Sequence, residues 1–348
     1  MLQPFVKRDL KVVVIGGGTG SFTLLSSLKD HTSSIVALVN MADDGGSTGT
    51  LRDELGVLPP GDVRQCLVAL SRTPEMRDVF SYRFEDGAGL KGHAFGNLFL
   101  TALEKMTGDF AKGIELASRV LNIVGSVEPM TLTNVRLTAK LSDELELKGE
   151  HTISESNFAG AKPDIKLEAS DGGDVEFNPR AIAAIEQADM VVVAPGNLYS
   201  SLAPALVVPG VGQALANTKA VRVYVANLVT KPGQTDNYDV CALTDEVERF
   251  GGHKFIDAVL FNTEKPSDSL LKKYAKEGEL SVEFDTDALE AAPYLAVGVN
   301  LLSNQVWQNS SSSDPIASSR TLIRHDPNIV ASSLMDLYQY VVSTDLKQ

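Results

Sequence analysis

A glycine turn follows the first apolar run of the chain, Val12 to Ile15, and leucines at helical spacing follow the turn. The turn consists of Gly16, Gly17, Gly18, Thr19, Gly20 and Ser21. Residues without a Cβ let backbone N–H groups approach an anion at the positive end of a helix. The run departs from GxGxxG at Ser21 and lacks the Gly-Lys-Ser/Thr ending of a Walker A loop. We therefore predict a nucleotide phosphate site, with a bare tight turn as the alternative.

Two acidic residues, Asp43 and Asp44, follow the second apolar run, and Gly45, Gly46, Ser47 and Arg52 come shortly after them. A dinucleotide-binding fold places an acid ~20 residues after the glycines, where it grips the ribose hydroxyls. Adjacent carboxylates would repel a diphosphate unless they hold a hydrated Mg²⁺ or face the ribose. The alternative interpretation is an Asp-Gly turn with a solvated charge pair.

Two further segments open helical patterns with polar residues. Asp62 follows Pro59-Pro60-Gly61, and we predict that it is a helix N-cap, with a carboxylate that faces the glycine turn as the alternative. His93 and Asn97 lie four residues apart, on one face of a helix start. Such a pair more often supplies caps and core hydrogen bonds than catalysis.

Polar turns also follow two later apolar runs. They contain Gly196, Asn197, Ser200, Ser201, Asn227, Thr230 and Lys231. In an open parallel sheet, ligands bind outside the carboxyl ends of the strands, so turns from separate strands can converge on one crevice. Lys231 and Arg324 would supply the cations that a pyrophosphate needs, although each alone could be a solvated surface charge.

The composition limits the class of protein. The 348 residues are 43 % hydrophobic and carry a formal net charge of -14, which argues against a nucleic-acid or anionic-membrane surface. Two cysteines, Cys66 and Cys241, give neither a disulfide framework nor a structural zinc site. The apolar run near the N-terminus is too short for a signal sequence or a membrane span. We expect a cytoplasmic protein.

The elements that position these turns are short apolar runs with helical patterns between them. The runs are Lys11 to Ile15, Ile35 to Val39, Met190 to Ala194, Val221 to Ala226 and Ala258 to Phe261. They predict strands that are buried on both faces. The alternation of strands and helices predicts an α/β, Rossmann-like, doubly wound and mainly parallel sheet with helices on both faces. We expect one α/β domain over residues 1–348, ending in a helix near 328–342.

Other stretches differ from this pattern of apolar runs and helices. Residues 134–153 alternate apolar and polar side chains about a Ser-Asp turn, which predicts a solvent-facing antiparallel hairpin. Residues 156–178 show little periodicity and are expected to be a surface excursion, so the whole hairpin insertion covers about 132–178. Residues 310–319 form a Ser-rich, low-complexity loop.

Five of these segments occur together, and in the same order, in a known family. They are VVVIGGGTG, MADDGGSTGTLRDELGVLPPGDVRQCLVAL, GHAFGNL, APGNLYSS and NLVTKPGQT. Over roughly residues 10 to 345 the chain resembles the YvcK-type gluconeogenesis factors, in the superfamily of CofD, the 2-phospho-L-lactate transferase.

The resemblance implies a cytoplasmic nucleotide-binding protein whose ligand is a nucleotide sugar of the UDP-N-acetylglucosamine type, or a dinucleotide such as NAD(P). It further implies a role in gluconeogenic growth and cell shape. By motif it places Mg²⁺ on Asp44 and Asp62, and nucleotide-sugar contacts on Tyr274 and Arg324. The transferase relatives join a phospholactyl group from a guanosine diphosphate donor to a deazaflavin, so a Mg²⁺-dependent transferase is the alternative. Matching acids need not mean retained catalysis, because a cation that positions a diphosphate for transfer also positions it for binding.

Together the motifs and the resemblance predict a set of ligand contacts and leave the catalytic residues unassigned. The predicted contacts are Gly16, Gly17, Gly18, Thr19, Gly20, Ser21, Asp43, Asp44, Gly45, Gly46, Ser47, Arg52, Asn97, Gly196, Asn197, Ser200, Ser201, Asn227, Thr230, Lys231, Tyr274 and Arg324. We expect a small-molecule nucleotide partner, no nucleic acid and no membrane insertion. A homo-oligomer and regulatory protein partners are also expected.

Overall fold

The computed structural model describes residues 9–303 and 323–344. Its strands are β1 (Val12–Gly16), β2 (Ile35–Val39), β3 (Ser126–Pro129), β4 (Val135–Lys140), β5 (Glu146–Lys148), β6 (Asp164–Ala169), β7 (Met190–Val193), β8 (Val221–Val225), β9 (Ala258–Asn262) and β10 (Leu295–Val299). Its helices are α1 (Gly18–Leu28), α2 (Gly46–Leu55), α3 (Gly61–Leu70), α4 (Pro74–Ser81), α5 (Phe95–Thr107), α6 (Phe110–Leu121), α7 (Glu150–Glu155), α8 (Pro179–Gln187), α9 (Ala203–Leu206), α10 (Val211–Asn217), α11 (Val240–Gly251), α12 (Asp268–Lys276), α13 (Thr286–Glu290) and α14 (Pro327–Ser343), with a π-helical turn at Leu198–Leu202.

A seven-stranded sheet with the order β10-β9-β8-β7-β1-β2-β3 forms the centre of the fold, and every neighbouring pair is parallel. Residues Val12 to Ile15 of β1 are at most 1 % exposed, as expected for a strand covered on both faces. The chain leaves β1 toward β2 on one side and continues from β7 to β8 on the other. The boundary between β1 and β7 is therefore the topological switch point, where ligands of such sheets bind.

The helices form two packed groups. Helix α1 packs against α3 and α14, and α10 packs against α8 and α11. Because right-handed crossovers that run in opposite directions along a sheet place their helices on opposite faces, the two groups cover both faces. The predicted α/β architecture, its five strands and its C-terminal helix are confirmed. The edge strands β3 and β10 were not predicted.

A smaller antiparallel sheet has the order β5-β4-β6. Strands β4 and β5 are the predicted hairpin, but the expectation that residues 156–178 are an irregular excursion is wrong, because they contain β6. Leu167 and Ile165 of β6 pair with Leu137 and Ala139 of β4. The end of the predicted hairpin, from Glu150 onward, is also helix rather than strand, namely α7. The predicted Ser-rich loop at 310–319 lies outside the described residues.

Within the described ranges, no single helix is long and apolar enough to cross a membrane. The segments Leu198–Leu206 and Val211–Asn217 meet the length and hydropathy requirement only jointly, across a 73° bend.

Candidate functional site

The glycine turn lies at the switch point of the sheet. Gly16 ends β1, and Gly17, which has no side chain of its own, is the N-cap of α1. Gly20 approaches the loop after β7 so closely that a Cβ would overlap the carbonyl oxygen of Pro195. The loops after β1 and β7 are therefore in direct contact, and the contact requires glycine at position 20.

Asp62 lies against this turn. It is the second residue of α3, whose N-cap is Pro60, so the prediction that Asp62 is the N-cap is wrong. Its carboxylate accepts a hydrogen bond from the Gly18 N–H and fills the space that a Cβ on Gly17 would need. The alternative interpretation, a carboxylate that faces the glycine turn, describes the observed arrangement.

Three half-buried carboxyl groups influence one another here. Burial, with the neighbouring charges of Asp43 and Glu150, raises the pKa of Asp62 to about 8. Burial also raises the pKa of Asp43, and it raises the pKa of Glu150 to about 7 although the Ser200 hydroxyl donates a hydrogen bond to that carboxyl group. Ionising all three without a counter-ion is unfavourable, so this cluster favours bound protons or a bound cation.

Arg64 is the buried cation beside the cluster. Burial lowers the pKa of its guanidinium to about 10, while the charges of Asp62 and Asp43 act in the opposite direction. Its Nε donates to Asn97 Oδ1 over 2.9 Å, and Asn97 Nδ2 donates to Ser47 Oγ over 3.2 Å. Two predicted ligand contacts, Ser47 and Asn97, are thus connected to the carboxylate cluster through one guanidinium.

Helix α7 brings Glu150 into the site, and its N-terminus is fixed by Asp44. The Asp44 carboxylate accepts hydrogen bonds from the Glu150 and His151 N–H groups, over 3.1 and 2.8 Å. Gly149, with φ of +96°, makes the close approach possible, because a Cβ there would lie 2.5 Å from Asp44 Oδ2. Asp44 therefore caps α7, and Asp43 rather than Asp44 acts on Asp62.

The other end of α7 is fixed by Gln234, in the loop after β8. Its Nε2 donates to the carbonyl oxygens of Ile153, Ser154 and Ser156, over 2.8, 3.2 and 3.0 Å. The sheet order puts β7 and β1 between β8 and β2. Because α7 is bound to the loops after β2 and β8, it crosses the C-terminal ends of the two strands between them, β7 and β1. Helix α7 therefore forms one wall of the crevice.

Asn227 joins the loops after β7 and β8. Its Nδ2 donates to the carbonyl oxygen of Gly196 over 2.7 Å, and its Oδ1 accepts the Gly196 N–H over 3.3 Å. The next residue, Asn197, accepts the N–H groups of Tyr199 and Ser200 and so caps the π-helical turn. These predicted contacts lie at the same edge of the sheet as the glycine turn.

The segment that carries Arg324 reaches the end of β8. His325 Nε2 lies 3.1 Å from the carbonyl oxygen of Ala226, and burial lowers the pKa of His325 to about 4, so the neutral imidazole donates this hydrogen bond. Tyr274 Oη accepts the Ile323 N–H over 3.1 Å. Burial lowers the pKa of Arg324, and its Nε is buried without a hydrogen-bond partner among the described residues.

The other predicted contacts differ in what their polar groups meet. The Ser21 hydroxyl is buried beside Gly16 and has no hydrogen-bond partner among the described residues, whereas Arg52 pairs with Asp53. The Thr230 hydroxyl accepts the Leu280 N–H. Thr19 is exposed on the first turn of α1, and the backbone N–H of Lys231 donates to Thr235.

The predicted Mg²⁺ site on Asp44 and Asp62 remains a prediction. Across residues 9–303 and 323–344, no three His, Cys, Asp or Glu side chains are arranged as a metal site. The donor chemistry nevertheless suits Mg²⁺, which takes oxygen ligands and is usually bound by one or two carboxylates together with substrate phosphates. Asp62, with Asp43 or Asp44, would be those carboxylates.

Glu150, Arg64 and Gln234 were not predicted as site residues. Glu150 lies at the end of the stretch whose pattern predicted only a hairpin. Its backbone N–H donates to Asp44, which is 106 positions away in the sequence. Arg64 lies within the PPGDVR segment but gave no separate signal. Gln234 belongs to the NLVTKPGQT segment, and membership of that segment was the only sequence feature that pointed to it.

Comparisons with a family model and with known proteins point to the same family. The sequence model described as 2-phospho-L-lactate transferase CofD matches residues 12–302. A Bacillus subtilis protein named gluconeogenesis factor is 37 % identical over 328 residues, which are 94 % of this chain and 98 % of that protein. A gluconeogenesis factor from Halalkalibacterium halodurans is 38 % identical over 330 residues, covering 94 % and 97 % of the two chains.

The fold has a close match among solved structures. A crystal structure of a UPF0052 family protein from Bacillus halodurans superposes with a TM-score of 0.82 at 36 % identity. The match covers 94 % of this chain and 99 % of the other. The sheet and the loops at its C-terminal edge therefore belong to an architecture shared with that protein.

Proposed function

The chain belongs to the CofD family, within which it is similar to gluconeogenesis factors, and we propose that it is a regulatory protein that binds a nucleotide sugar of the UDP-N-acetylglucosamine type. The observation that carries the proposal is the contact between Gly20 and Pro195, which places the glycine turn at the switch point of the sheet. A parallel sheet binds nucleotides at this position.

The diphosphate of the ligand would lie at the N-terminus of α1. The first N–H groups of α1 and the helix dipole favour an anion there, although Asp62 already accepts the Gly18 N–H. Lys231 and Arg324, from two other loops, would add positive charge. Tyr274 and Arg324 would face the nucleotide part, since they lie near the end of β8.

Binding of the diphosphate at this site would depend on the charge of the Asp62 carboxyl group. This carboxyl group already accepts the Gly18 N–H, so a diphosphate at the same amides brings a second negative charge. Either a proton or a divalent cation on the carboxyl group would remove the repulsion. Mg²⁺, held by Asp62 with Asp43 or Asp44, would neutralise both groups, and the raised pKa of Asp62 makes protonation accessible near neutral pH.

The regulatory signal would be whether the nucleotide site is occupied. Because Asp44 and Gln234 fix the two ends of α7, a ligand that contacts Asp44 changes how the small antiparallel sheet is held. In the cell this would serve growth on gluconeogenic carbon sources and the maintenance of cell shape, through a protein partner that recognises the occupied form.

Isothermal titration calorimetry with UDP-N-acetylglucosamine, with and without Mg²⁺, tests the proposal. UMP, NADP and GDP serve as comparison ligands. Arg324→Ala should weaken the binding of the UDP sugar by about tenfold or more, because a charge-assisted contact is worth about 1.5–3 kcal/mol. Arg180→Ala is the matched control, since Arg180 pairs with Glu115 on the surface. The absence of UDP-sugar binding at millimolar concentration, with or without Mg²⁺, would reject the proposal.

The match to the CofD model favours a second candidate, a Mg²⁺-dependent transferase that uses a nucleoside diphosphate donor. Chromatography of the nucleotide after long incubation distinguishes the two. An intact UDP sugar supports binding alone, whereas release of a nucleoside monophosphate in the presence of an acceptor supports transfer.

A further inference from the structure

A chain of four polar side chains leads from the carboxylate cluster through a serine to a histidine. It runs from Arg64 through Asn97 and Ser47 to His93, and Ser47 Oγ lies 2.9 Å from His93 Nδ1. Three different segments supply these residues: Arg64 is in α3, Ser47 is in α2, and His93 and Asn97 lie at the start of α5. A serine hydroxyl beside an imidazole is the arrangement in which serine becomes a nucleophile.

The direction of each hydrogen bond follows from the donor at one end. A guanidinium only donates, so Asn97 must present Oδ1 to Arg64 and therefore Nδ2 to Ser47. Ser47 Oγ accepts from Asn97, which leaves its own proton to donate. Ser47 Oγ and His93 Nδ1 lie within hydrogen-bonding distance, and in the tautomer with its proton at Nε2 the imidazole accepts the Ser47 proton at Nδ1. That tautomer makes His93 a base for Ser47.

The surroundings suit attack on an anionic electrophile. Ser47 is half-buried in the first turn of α2, whereas His93 is buried at 8 % exposure. Helix α2 has no side-chain cap, so its first N–H groups are available to a negatively charged group on Ser47. Ser201, in the loop after β7, is also half-buried at the crevice but has no imidazole partner among the described residues.

We propose that Ser47, with His93 as its base, is a nucleophile toward phosphorus. With a nucleoside diphosphate ester in the crevice, Ser47 Oγ forms a bond to the distal phosphorus. The bond from that phosphorus to the bridging oxygen breaks, and a nucleoside monophosphate leaves with the electron pair. The serine proton passes to His93 Nδ1. The identity of this donor rests on the proposed function, whereas the reactivity of Ser47 does not.

Diisopropyl phosphorofluoridate tests the nucleophile without any nucleotide. The Oγ–phosphorus bond forms, the phosphorus–fluorine bond breaks, fluoride leaves and His93 takes the proton. Intact-mass analysis and peptide mapping should find one adduct, on Ser47, and none on Ser201. His93→Gln should slow the labelling about 100-fold, in line with the usual contribution of a general base. An unlabelled protein, or labelling of His93→Gln at the wild-type rate, would overturn the proposal.

Two further measurements test the base with a second nucleophile and test the nucleotide as the phosphoryl donor. Ser47→Cys retains the size of the side chain, and its alkylation by iodoacetamide should also depend on His93; equal rates with and without the imidazole count against the proposal. Incubation with excess UDP-N-acetylglucosamine and Mg²⁺, without an acceptor, should release one UMP per protein and leave an adduct on Ser47, whereas repeated release of UMP once an acceptor is added belongs to the transferase candidate. Binding of the sugar nucleotide without an adduct refutes the phosphoryl-donor assignment, whereas failure to bind it refutes the proposed function and leaves the phosphorofluoridate result to decide the nucleophile.

Discussion

The carboxyl group of Asp62 accepts a hydrogen bond from the backbone N–H of Gly18, so an acidic side chain occupies the helix end that an anionic ligand needs. A carboxylate in this place accepts one backbone hydrogen bond but is poorly solvated, and it lies beside Asp43 and Glu150. The charge at the proposed anion site therefore depends on pH and on cations.

Asp62→Asn should stabilise the protein at pH 8 more than at pH 5. The pKa of Asp62 is raised from 3.8 to about 8 in the folded protein, so between these values the folded state keeps a proton that the unfolded chain releases. Stability is consequently lost as the pH rises through this window, at a rate on the order of 1 kcal/mol per pH unit. Asparagine has no proton to lose.

Urea denaturation at the two pH values measures this difference. Asp143→Asn is the control, because Asp143 has a side chain that is 97 % exposed. An equal effect of Asp62→Asn at pH 5 and pH 8 would show that Asp62 does not hold a proton in the folded state.

Gln234→Leu should loosen α7 without unfolding the sheet. The substitution removes the donor to three carbonyl oxygens, and unsatisfied buried polar groups cost about 1–3 kcal/mol each at most sites. Hydrogen exchange at the Ile153 and Ser156 amides should accelerate, while exchange in β1 stays unchanged. Gln213→Leu, on the surface of α10, should leave α7 protected. Unaltered exchange in α7 would mean that Gln234 does not fix the helix.

The fold was predictable because its central strands are continuous apolar runs. Such runs need no partner to be recognised, and their carboxyl ends locate the polar turns directly. Edge strand β3 reads Ser-Val-Glu-Pro and buries only alternate residues, so its pattern is too short and too polar to stand out. Strand β6 was missed because its three apolar residues alternate with Asp, Lys and Glu inside a charged stretch, so it forms no continuous apolar run.

Only those site residues that lie in or next to turns could be predicted from the sequence. Ser47 and Asn97 follow helix starts and were found, but the pairing of Ser47 with His93 joins positions 46 apart. The contacts of Gln234 with α7 span about 80 positions. Their partners are set by how α2 packs against α5 and how α7 packs against the π-helical turn, and no local pattern encodes that packing.

Gly20→Ala should disrupt the contact between the loops after β1 and β7. A Cβ at this position would overlap a backbone carbonyl oxygen, that of Pro195, so one of the two loops must move. We expect destabilisation of more than about 2 kcal/mol and loss of nucleotide affinity. Gly113→Ala is the matched control, because a Cβ there meets its neighbours at 3.4 Å, within a helix that favours alanine. If Gly20→Ala retains wild-type stability and affinity, the close approach of the two loops is not required.

His325→Gln should remove an acid sensitivity of the folded state. Burial lowers the pKa of His325 from 6.5 to about 4, so below pH 6.5 the unfolded chain takes up a proton that the folded protein excludes. Stability is therefore lost as the pH falls from 6.5 toward 4, again on the order of 1 kcal/mol per pH unit. Glutamine can donate an N–H to the Ala226 carbonyl oxygen and does not titrate, so the difference in unfolding free energy between variant and wild type should shift in favour of the variant as the pH is lowered from 7 to 4.5. Asp62 titrates in both proteins and cancels from this difference. His31→Gln, at an exposed position, is the control and should follow the wild type. A difference that stays constant between pH 7 and 4.5 would mean that His325 is not buried as a neutral imidazole, and the link between the Arg324 segment and the end of β8 would then need another explanation.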